Sequence, residues 1–77
     1  MKINIKYPGI LENYGISYDS SLEIPEGSTV LSLLETYVTK PEYRAGNIIM
    51  VNGQLATATQ VLSPGDILSI FFPAIGG

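Results

Sequence analysis

The 77-residue sequence contains no cysteine and no histidine. The absence of histidine removes the imidazole that serves as a general base near neutral pH and as a common metal ligand. The absence of cysteine removes thiolate nucleophiles, disulfides and iron–sulfur ligands. We therefore expect a protein that does not catalyse a reaction by itself and whose stability depends on core packing alone.

Charged residues and long apolar runs are scarce as well. Charged side chains make up 14% of the chain, against about 25% in typical proteins. The net charge of −3 argues against nucleic-acid binding through a basic surface. No run approaches the ~18 apolar residues of a membrane span. In residues 1–6, apolar residues alternate with polar or charged ones, whereas a signal peptide has a continuous apolar run. We expect a soluble, cytoplasmic domain with neither nucleic acid nor a membrane as partner.

The chain begins with two segments in which apolar and polar residues alternate. Within residues 2–7, Ile3, Ile5 and Tyr7 alternate with polar residues, which predicts a strand that buries these three side chains. The segment from Ser17 to Ile24 alternates in the same way. It predicts a second strand, paired antiparallel with the first across an irregular loop.

A helix is predicted after the break at Pro25-Glu26-Gly27. Ser28 and Thr29 are both good N-cap residues. Apolar residues at three- and four-residue spacing then predict an amphipathic helix of about three turns, formed by Val30, Leu31, Leu34, Tyr37 and Val38. Pro41 ends it, because the proline ring cannot continue the helical hydrogen bonding.

Three short strands are predicted in the second half of the chain. Ile48–Val51 is a buried strand, and Asn52-Gly53 predicts a type I′ hairpin turn into a return strand at Gln54–Ala56. Ser63–Asp66 is a turn, in which Asp66 has a structural role. The last strand, Ile67–Phe72, is apolar at nearly every position, which is typical of the middle of a sheet.

The element order β-β-α-β-β-β predicts an α+β fold in two layers, with one helix over one face of the sheet. Phe71 and Phe72 are neighbours on a strand and point to opposite faces. One of them is predicted to pack beneath the helix, with the other exposed or covered by a partner; the alternative places both in the core. Five tyrosines and few charges favour an apolar contact face.

The C-terminal segment Pro73–Gly77 is the one feature that suggests covalent chemistry. Pro73 cannot donate to a strand ladder, so sheet pairing stops there. Gly76 and Gly77 lack side chains, so this backbone can pass through a narrow channel. Once adenylated, the terminal carboxyl of Gly77 would become an acyl donor to which sulfur or an amine can be attached. Two terminal glycines occur by chance in roughly one chain in 200, so the pair alone is a weak signal. Its position just after a core strand is what indicates a reactive tail.

The acidic residues suggest no further site. The seven of them are scattered without the spacing of metal ligands.

Four segments in this order and spacing carry a family resemblance: Pro25–Val30, Val51–Gly53, Leu62–Ile67 and Phe71–Gly77. Together they resemble the MoaD/ThiS family of ubiquitin-like sulfur carriers, and the resemblance covers nearly the whole chain. It implies a β-grasp domain over residues 1–72, with a mixed sheet packed on one main helix, and a flexible tail over residues 73–77.

The resemblance also implies a mechanism. An adenylyltransferase resembling ubiquitin-activating enzymes would use ATP to form an acyl-adenylate on Gly77, and a sulfur donor would convert it to a thiocarboxylate. The carrier itself binds no cofactor. Gly77 corresponds to the modified residue and Gly76 to the residue that threads the channel. The segment that docks on the partner corresponds to Phe72, Pro73, Ala74 and Ile75.

Two branches of the family compete. The Pro25-Glu26-Gly27 helix entry, the long first hairpin and the Phe-Phe-Pro lead-in resemble the small subunit of molybdopterin synthase, whose tail inserts into the large subunit. That branch commonly has a second proline where this chain has Ala74, and residues 40–47 have no assigned counterpart. A thiamine-pathway carrier acting with thiazole synthase is the alternative within the family. A ubiquitin-like modifier of protein lysines and a plain interaction domain are the alternatives outside it.

Overall fold

The computed structural model describes residues 1–72, which contain five strands, one α-helix and two 3₁₀ helices. The strands and the α-helix are β1 (Lys2–Tyr7), β2 (Ser20–Glu23), α1 (Val30–Tyr37), β3 (Ile48–Val51), β4 (Gln54–Leu55) and β5 (Ile67–Phe71). The 3₁₀ helices, at Gly9–Tyr14 and Pro41–Tyr43, were not predicted.

The strands form one sheet in the order β2-β1-β5-β3-β4. β1 pairs in parallel with β5, and the remaining pairs are antiparallel. The sheet is therefore mixed, and its middle strand is the last one in the sequence, as predicted. The predicted two-layer α+β arrangement and the antiparallel pairing of β1 with β2 are confirmed as well.

A capping box starts α1 at Thr29. The Ser32 N–H donates to Thr29 Oγ1 at 3.0 Å, and the Thr29 N–H donates to Ser32 Oγ at 2.9 Å. These bonds satisfy two of the amide groups that a helix start leaves without partners. Of the two predicted N-caps, the structure selects Thr29.

The helix is shorter than predicted and presents a different face. It has eight residues and ends at Tyr37, well before Pro41. Leu31 was predicted on the apolar face but is exposed, whereas Leu33 is buried. The buried residues follow the i, i+3, i+4 pattern counted from Val30, and Leu31 lies one helical step off that stripe.

The second strand is also shorter than predicted. It begins at Ser20 because Asp19 adopts a left-handed conformation (φ 51°) that interrupts extended backbone. Tyr18 precedes this turn and is exposed, so only the later part of the predicted Ser17–Ile24 segment is strand.

The predicted turns are confirmed and are joined by side chains. Asn52 and Gly53 both have positive φ angles, 53° and 79°, as a type I′ turn requires. The Asp66 carboxylate accepts bonds from the Ser63 N–H at 2.8 Å and from Asn52 Nδ2 at 2.9 Å. The Ile67 N–H donates to Asn52 Oδ1 at 2.8 Å. Asp66 therefore has the structural role expected of it, fastening the start of β5 to the β3–β4 hairpin.

The core lies between the helix and one face of the sheet. Its largest members include Ile3 and Ile5 from β1, Leu68 and Ile70 from β5, and Leu34 from α1. The first 3₁₀ helix adds Ile10 and Leu11, which the alternation pattern could not assign.

Gly9 sets how closely this 3₁₀ helix approaches β5. Its φ of +56° is left-handed, and a β-carbon at this position would lie 2.8 Å from the carbonyl carbon of Ile70. Backbone therefore packs directly on backbone there, which only glycine permits.

We expect Gly9→Ala to lower the free energy of unfolding by about 3 kcal/mol, because it adds left-handed strain to overpacking against β5. Gly15→Ala is the matched control, since Gly15 also has positive φ but a β-carbon there would have no neighbour within 4 Å. It should cost about 1 kcal/mol. Urea unfolding of both variants measures the difference, and equal losses would contradict the close-packing explanation.

Candidate functional site

The predicted reactive segment begins where β5 ends. Phe72 directly follows this strand and is 57% exposed. The other predicted site residues, Pro73, Ala74, Ile75, Gly76 and Gly77, lie outside the described residues, and their roles stay predictions, as does the division of the chain after residue 72.

Neither Phe71 nor Phe72 is buried. The prediction that one of them packs beneath the helix was wrong, and so was the alternative that both lie in the core; the exposure expected for one of them is found for both. Leu68 and Ile70 occupy the helix-covered side of β5, and the alternation places Phe71 on the opposite side, 37% exposed. Phe72 would continue the buried side, but β5 ends one residue earlier and Phe72 lies outside the buried cluster.

The side of the sheet away from the helix carries a cluster of exposed apolar and aromatic side chains. Cross-strand pairs place Ile48 opposite Phe71 and Met50 opposite both Ser69 and Leu55. We call this surface the open face and define it by six side chains that are between 37% and 77% exposed: Tyr7, Tyr18, Ile48, Leu55, Ile67 and Phe71.

An aromatic group lies at the β1–β5 side of the open face. The Tyr7 ring contacts Phe71 with a centroid distance of 5.4 Å and meets Tyr18 edge-on at 6.1 Å. Both distances fall in the range of favourable aromatic pairs. The three rings therefore support one another on a surface where solvent would otherwise surround them.

The position of Tyr7 overturns a prediction, since its alternation with Ile3 and Ile5 indicated the buried face. The β1–β5 register shifts: Ile5 pairs with Leu68, but Tyr7 pairs with Ser69. One extra residue in β1 therefore turns Tyr7 to the other side of the sheet, as a bulge does. No signal in the sequence marks this shift.

Charged groups lie at the rim of the open face. Lys6 Nζ lies 5.6 Å from the centroid of the Tyr7 ring. The nearby Glu12 carboxylate raises the pKa of Tyr18 above its usual value, with a smaller contribution from desolvation. An apolar centre with a polar rim is the arrangement of protein–protein interfaces, and patches of this kind on small proteins mark binding surfaces.

A groove of about 750 Å³ lies beside the end of β5. We call it the exit groove; its lining comes from the first 3₁₀ helix, from the segment after α1 and from the last described residue. These are Ile10, Asn13, Tyr14, Thr39, Lys40, Glu42, Tyr43, Ala45, Asn47 and Phe72. The unassigned segment 40–47 thus forms one wall of the groove. The one sequence feature that could have indicated this wall is Tyr43, an aromatic residue in a polar loop.

The acidic residues form no metal site in the described part of the chain. Within residues 1–72, no three of them are grouped so that they could hold a metal ion. No helix in that range has the length and hydrophobicity needed to cross a bilayer.

Comparison with known proteins identifies the family. The ThiS family pattern matches residues 5–77, which is nearly the whole chain. The chain belongs to the ThiS family of ubiquitin-like sulfur carriers. A search of curated proteins finds no match. Because the family match covers nearly the whole chain, the resemblance seen in the sequence is confirmed. Members of this family are small carriers that work with an activating enzyme and a partner synthase subunit.

Solved structures confirm the β-grasp fold of this ThiS-family chain. SAMP1 from Haloferax volcanii is 18% identical, with a TM-score of 0.68 over 100% of both chains. A second structure of that organism's small archaeal modifier protein 1 has a TM-score of 0.70 at 18% identity, covering 95% of this chain and 98% of the other. A candidate molybdopterin converting factor subunit 1 from Pyrococcus furiosus is 23% identical, with a TM-score of 0.67 over 96% and 99% of the two chains.

The electrostatics of the open-face rim can be tested at Tyr18. Glu12→Gln removes the negative charge that raises the pKa of Tyr18, so this pKa should fall towards its ordinary value. Resonances of the tyrosine rings, followed by NMR from neutral to alkaline pH, measure it. Glu35→Gln, on the helix, is the control and should leave Tyr18 unchanged; an unaltered Tyr18 titration in Glu12→Gln would contradict the assignment.

Proposed function

We propose that this ThiS-family chain carries sulfur as a thiocarboxylate on Gly77 and donates it in molybdopterin biosynthesis, as the small, non-catalytic subunit of the synthase. The observation that carries the proposal is the family match, which extends through Gly77. We place this activity in the cytoplasm.

The chemistry proceeds in two substitutions at the terminal carboxyl of Gly77. A carboxylate oxygen attacks the α-phosphorus of ATP on the activating enzyme, and pyrophosphate leaves. Sulfide delivered by a donor then attacks the carbonyl carbon of the acyl-adenylate, and AMP leaves. ATP is thus consumed by the activating enzyme, and the chain supplies only the group that is modified, consistent with its lack of cysteine and histidine.

The open face is the surface through which a partner binds the domain during this chemistry. A partner that works on Gly77 must hold the domain while the tail reaches its active site, and five extended residues span at most ~17 Å. Phe71 belongs to the open face, and only Phe72 separates it from the tail. A protein bound to this surface is therefore within reach of the tail.

The molybdopterin pathway is favoured by the sequence around the tail and the helix. Phe71-Phe72-Pro73 and Pro25-Glu26-Gly27 are the segments that resemble the molybdopterin synthase small subunit. One structural neighbour carries a molybdopterin converting factor name. Under this proposal the large subunit accepts the tail; thiazole synthase is the acceptor in the alternative pathway of the family.

A second function, conjugation to proteins, is favoured by another neighbour. Small archaeal modifier protein 1 shares the fold over nearly the full length of both chains. The same acyl-adenylate would then be attacked by a lysine amine rather than by sulfide. Branched Gly-Gly remnants on lysines in a cell digest would identify this fate.

Intact-mass measurement tests the carrier function. After incubation with ATP, the adenylyltransferase and a sulfur donor, the native chain should gain the mass difference between sulfur and oxygen, located by fragmentation at Gly77. A variant extended by one alanine beyond Gly77 should not gain it, because its terminal carboxyl is displaced. Equal sulfuration of the extended variant would exclude Gly77 as the carrier group.

The role of the open face is tested by Ile48→Arg with Leu31→Arg as a matched control. These two side chains are of equal size and about equally exposed, 41% and 38%, but Leu31 lies on the helix. Arginine at position 48 should weaken binding to the activating enzyme about tenfold or more, since it puts a charge in the centre of the contact. Calorimetric titration measures the Kd, and equal affinities of the two variants would contradict the docking role.

A further inference from the structure

The exit groove shares no lining residue with the open face and lies beside Phe72, the last described residue. Its apolar walls are the rings of Tyr14, Tyr43 and Phe72, with the side chain of Ile10 buried at 6% exposure. Three aromatic rings around one concave surface form the kind of pocket that receives an anchoring side chain of a partner.

Local hydrogen bonds hold the outer wall of the groove in place. Asn47 Nδ2 donates to the carbonyl oxygens of Tyr43 at 2.9 Å and Arg44 at 3.3 Å. Arg44 Nε donates to the carbonyl oxygen of Val38 at 2.8 Å, just after the helix. The segment after α1 is therefore fastened to the C-terminal end of the helix, so the groove has a defined shape before any partner binds.

The rim of the groove carries an ammonium group that has no carboxylate partner among residues 1–72. Lys40 Nζ lies 5.8 Å from the centroid of the Tyr43 ring. The one ion pair within that range joins the amino terminus to Glu23. Glu42 also lines the groove and forms no ion pair with Lys40, so the rim offers one charge of each sign. An apolar anchor flanked by an acidic side chain that faces Lys40 matches this lining.

The position of Phe72 indicates which molecule supplies that anchor. Phe72 lines the groove and is the last residue before Pro73–Gly77. Any protein that holds the carboxyl of Gly77 in its active site lies within ~17 Å of Phe72. Because Phe72 also lines the groove, the surface around the tail channel of such a protein can reach it. Activation precedes every proposed fate of the tail, so the activating enzyme is the partner that all of them require.

We propose that the exit groove receives an apolar side chain of the adenylyltransferase that activates Gly77, with an adjacent acidic residue of that enzyme paired to Lys40. The inference rests on the proposed function and adds a second contact, formed in part by the segment 40–47. This segment selects the activating enzyme, and the open face and the tail are shared with later partners.

The test compares Ala45→Trp with Thr57→Trp in the full-length chain. Ala45 is exposed and lines the groove, so tryptophan there fills it without entering the core. Thr57 is exposed on the connection after β4 and does not line the groove. With the adenylyltransferase encoded in the same genome, Ala45→Trp should raise the KM for the carrier about tenfold or more, with kcat unchanged. Thr57→Trp should match the native chain.

Lys40→Glu provides a second variant that leaves the groove shape unchanged. Its KM should rise, and the rise should shrink as salt screens the charges. If thermal unfolding shows that Ala45→Trp is unfolded while Thr57→Trp is folded, the KM of Lys40→Glu alone tests the proposed contact.

The outcomes separate this inference from the proposed function. If the native chain is adenylated and the KM values of Ala45→Trp and Lys40→Glu equal that of the native chain, the groove contact is wrong and the carrier function stands. If these variants are activated normally but lose binding to the synthase subunit, the groove serves the acceptor and the proposal is overturned. If the native chain is not adenylated at all, both fail.

Discussion

The pairing of β5 between β1 and β3 is the constraint on which the rest of the structure depends. It places the last strand of the chain in the middle of the sheet, where it contributes Leu68 and Ile70 to the core. Without it, β1 and β3 would each lose a neighbour and the sheet would divide, so the domain cannot fold without the strand that leads to the tail. Because the chain has no disulfide, packing on this strand replaces covalent stabilisation. The end of the chain is thereby tied to the most buried element.

The same strand separates two surfaces with different roles. One side is covered by α1, and the other carries Ile67 and Phe71 in an exposed position. The register shift beside β1 adds Tyr7 to that second side, and Tyr18 completes the aromatic group. An apolar surface of this kind costs solubility unless a partner covers it. Such a surface is consistent with membership of the ThiS family, whose carriers work with an activating enzyme and a partner synthase subunit.

Much of the fold could be predicted because local rules decide it. Asn52-Gly53 specifies a type I′ turn through positive φ, and Thr29 caps a helix through its hydroxyl. The two 3₁₀ helices and the exit groove could not be predicted. Their residues show neither the alternation of a strand nor the three- and four-residue spacing of an α-helix, and they are ordered by contacts with distant strands. Gly9 illustrates this: its neighbour is the carbonyl of Ile70, which is far away in the sequence.

The sequence by itself determined the element order, the central place of the last strand and the family to which the chain belongs. Those follow from alternation, turn residues and the order of short motifs, all of which are local properties. Only the tertiary structure decided that Tyr7 faces outward, that neither Phe71 nor Phe72 enters the core, and that residues 40–47 meet Phe72 across a groove. These depend on strand register and on where the helix ends, and both are set by packing between segments that no local pattern relates.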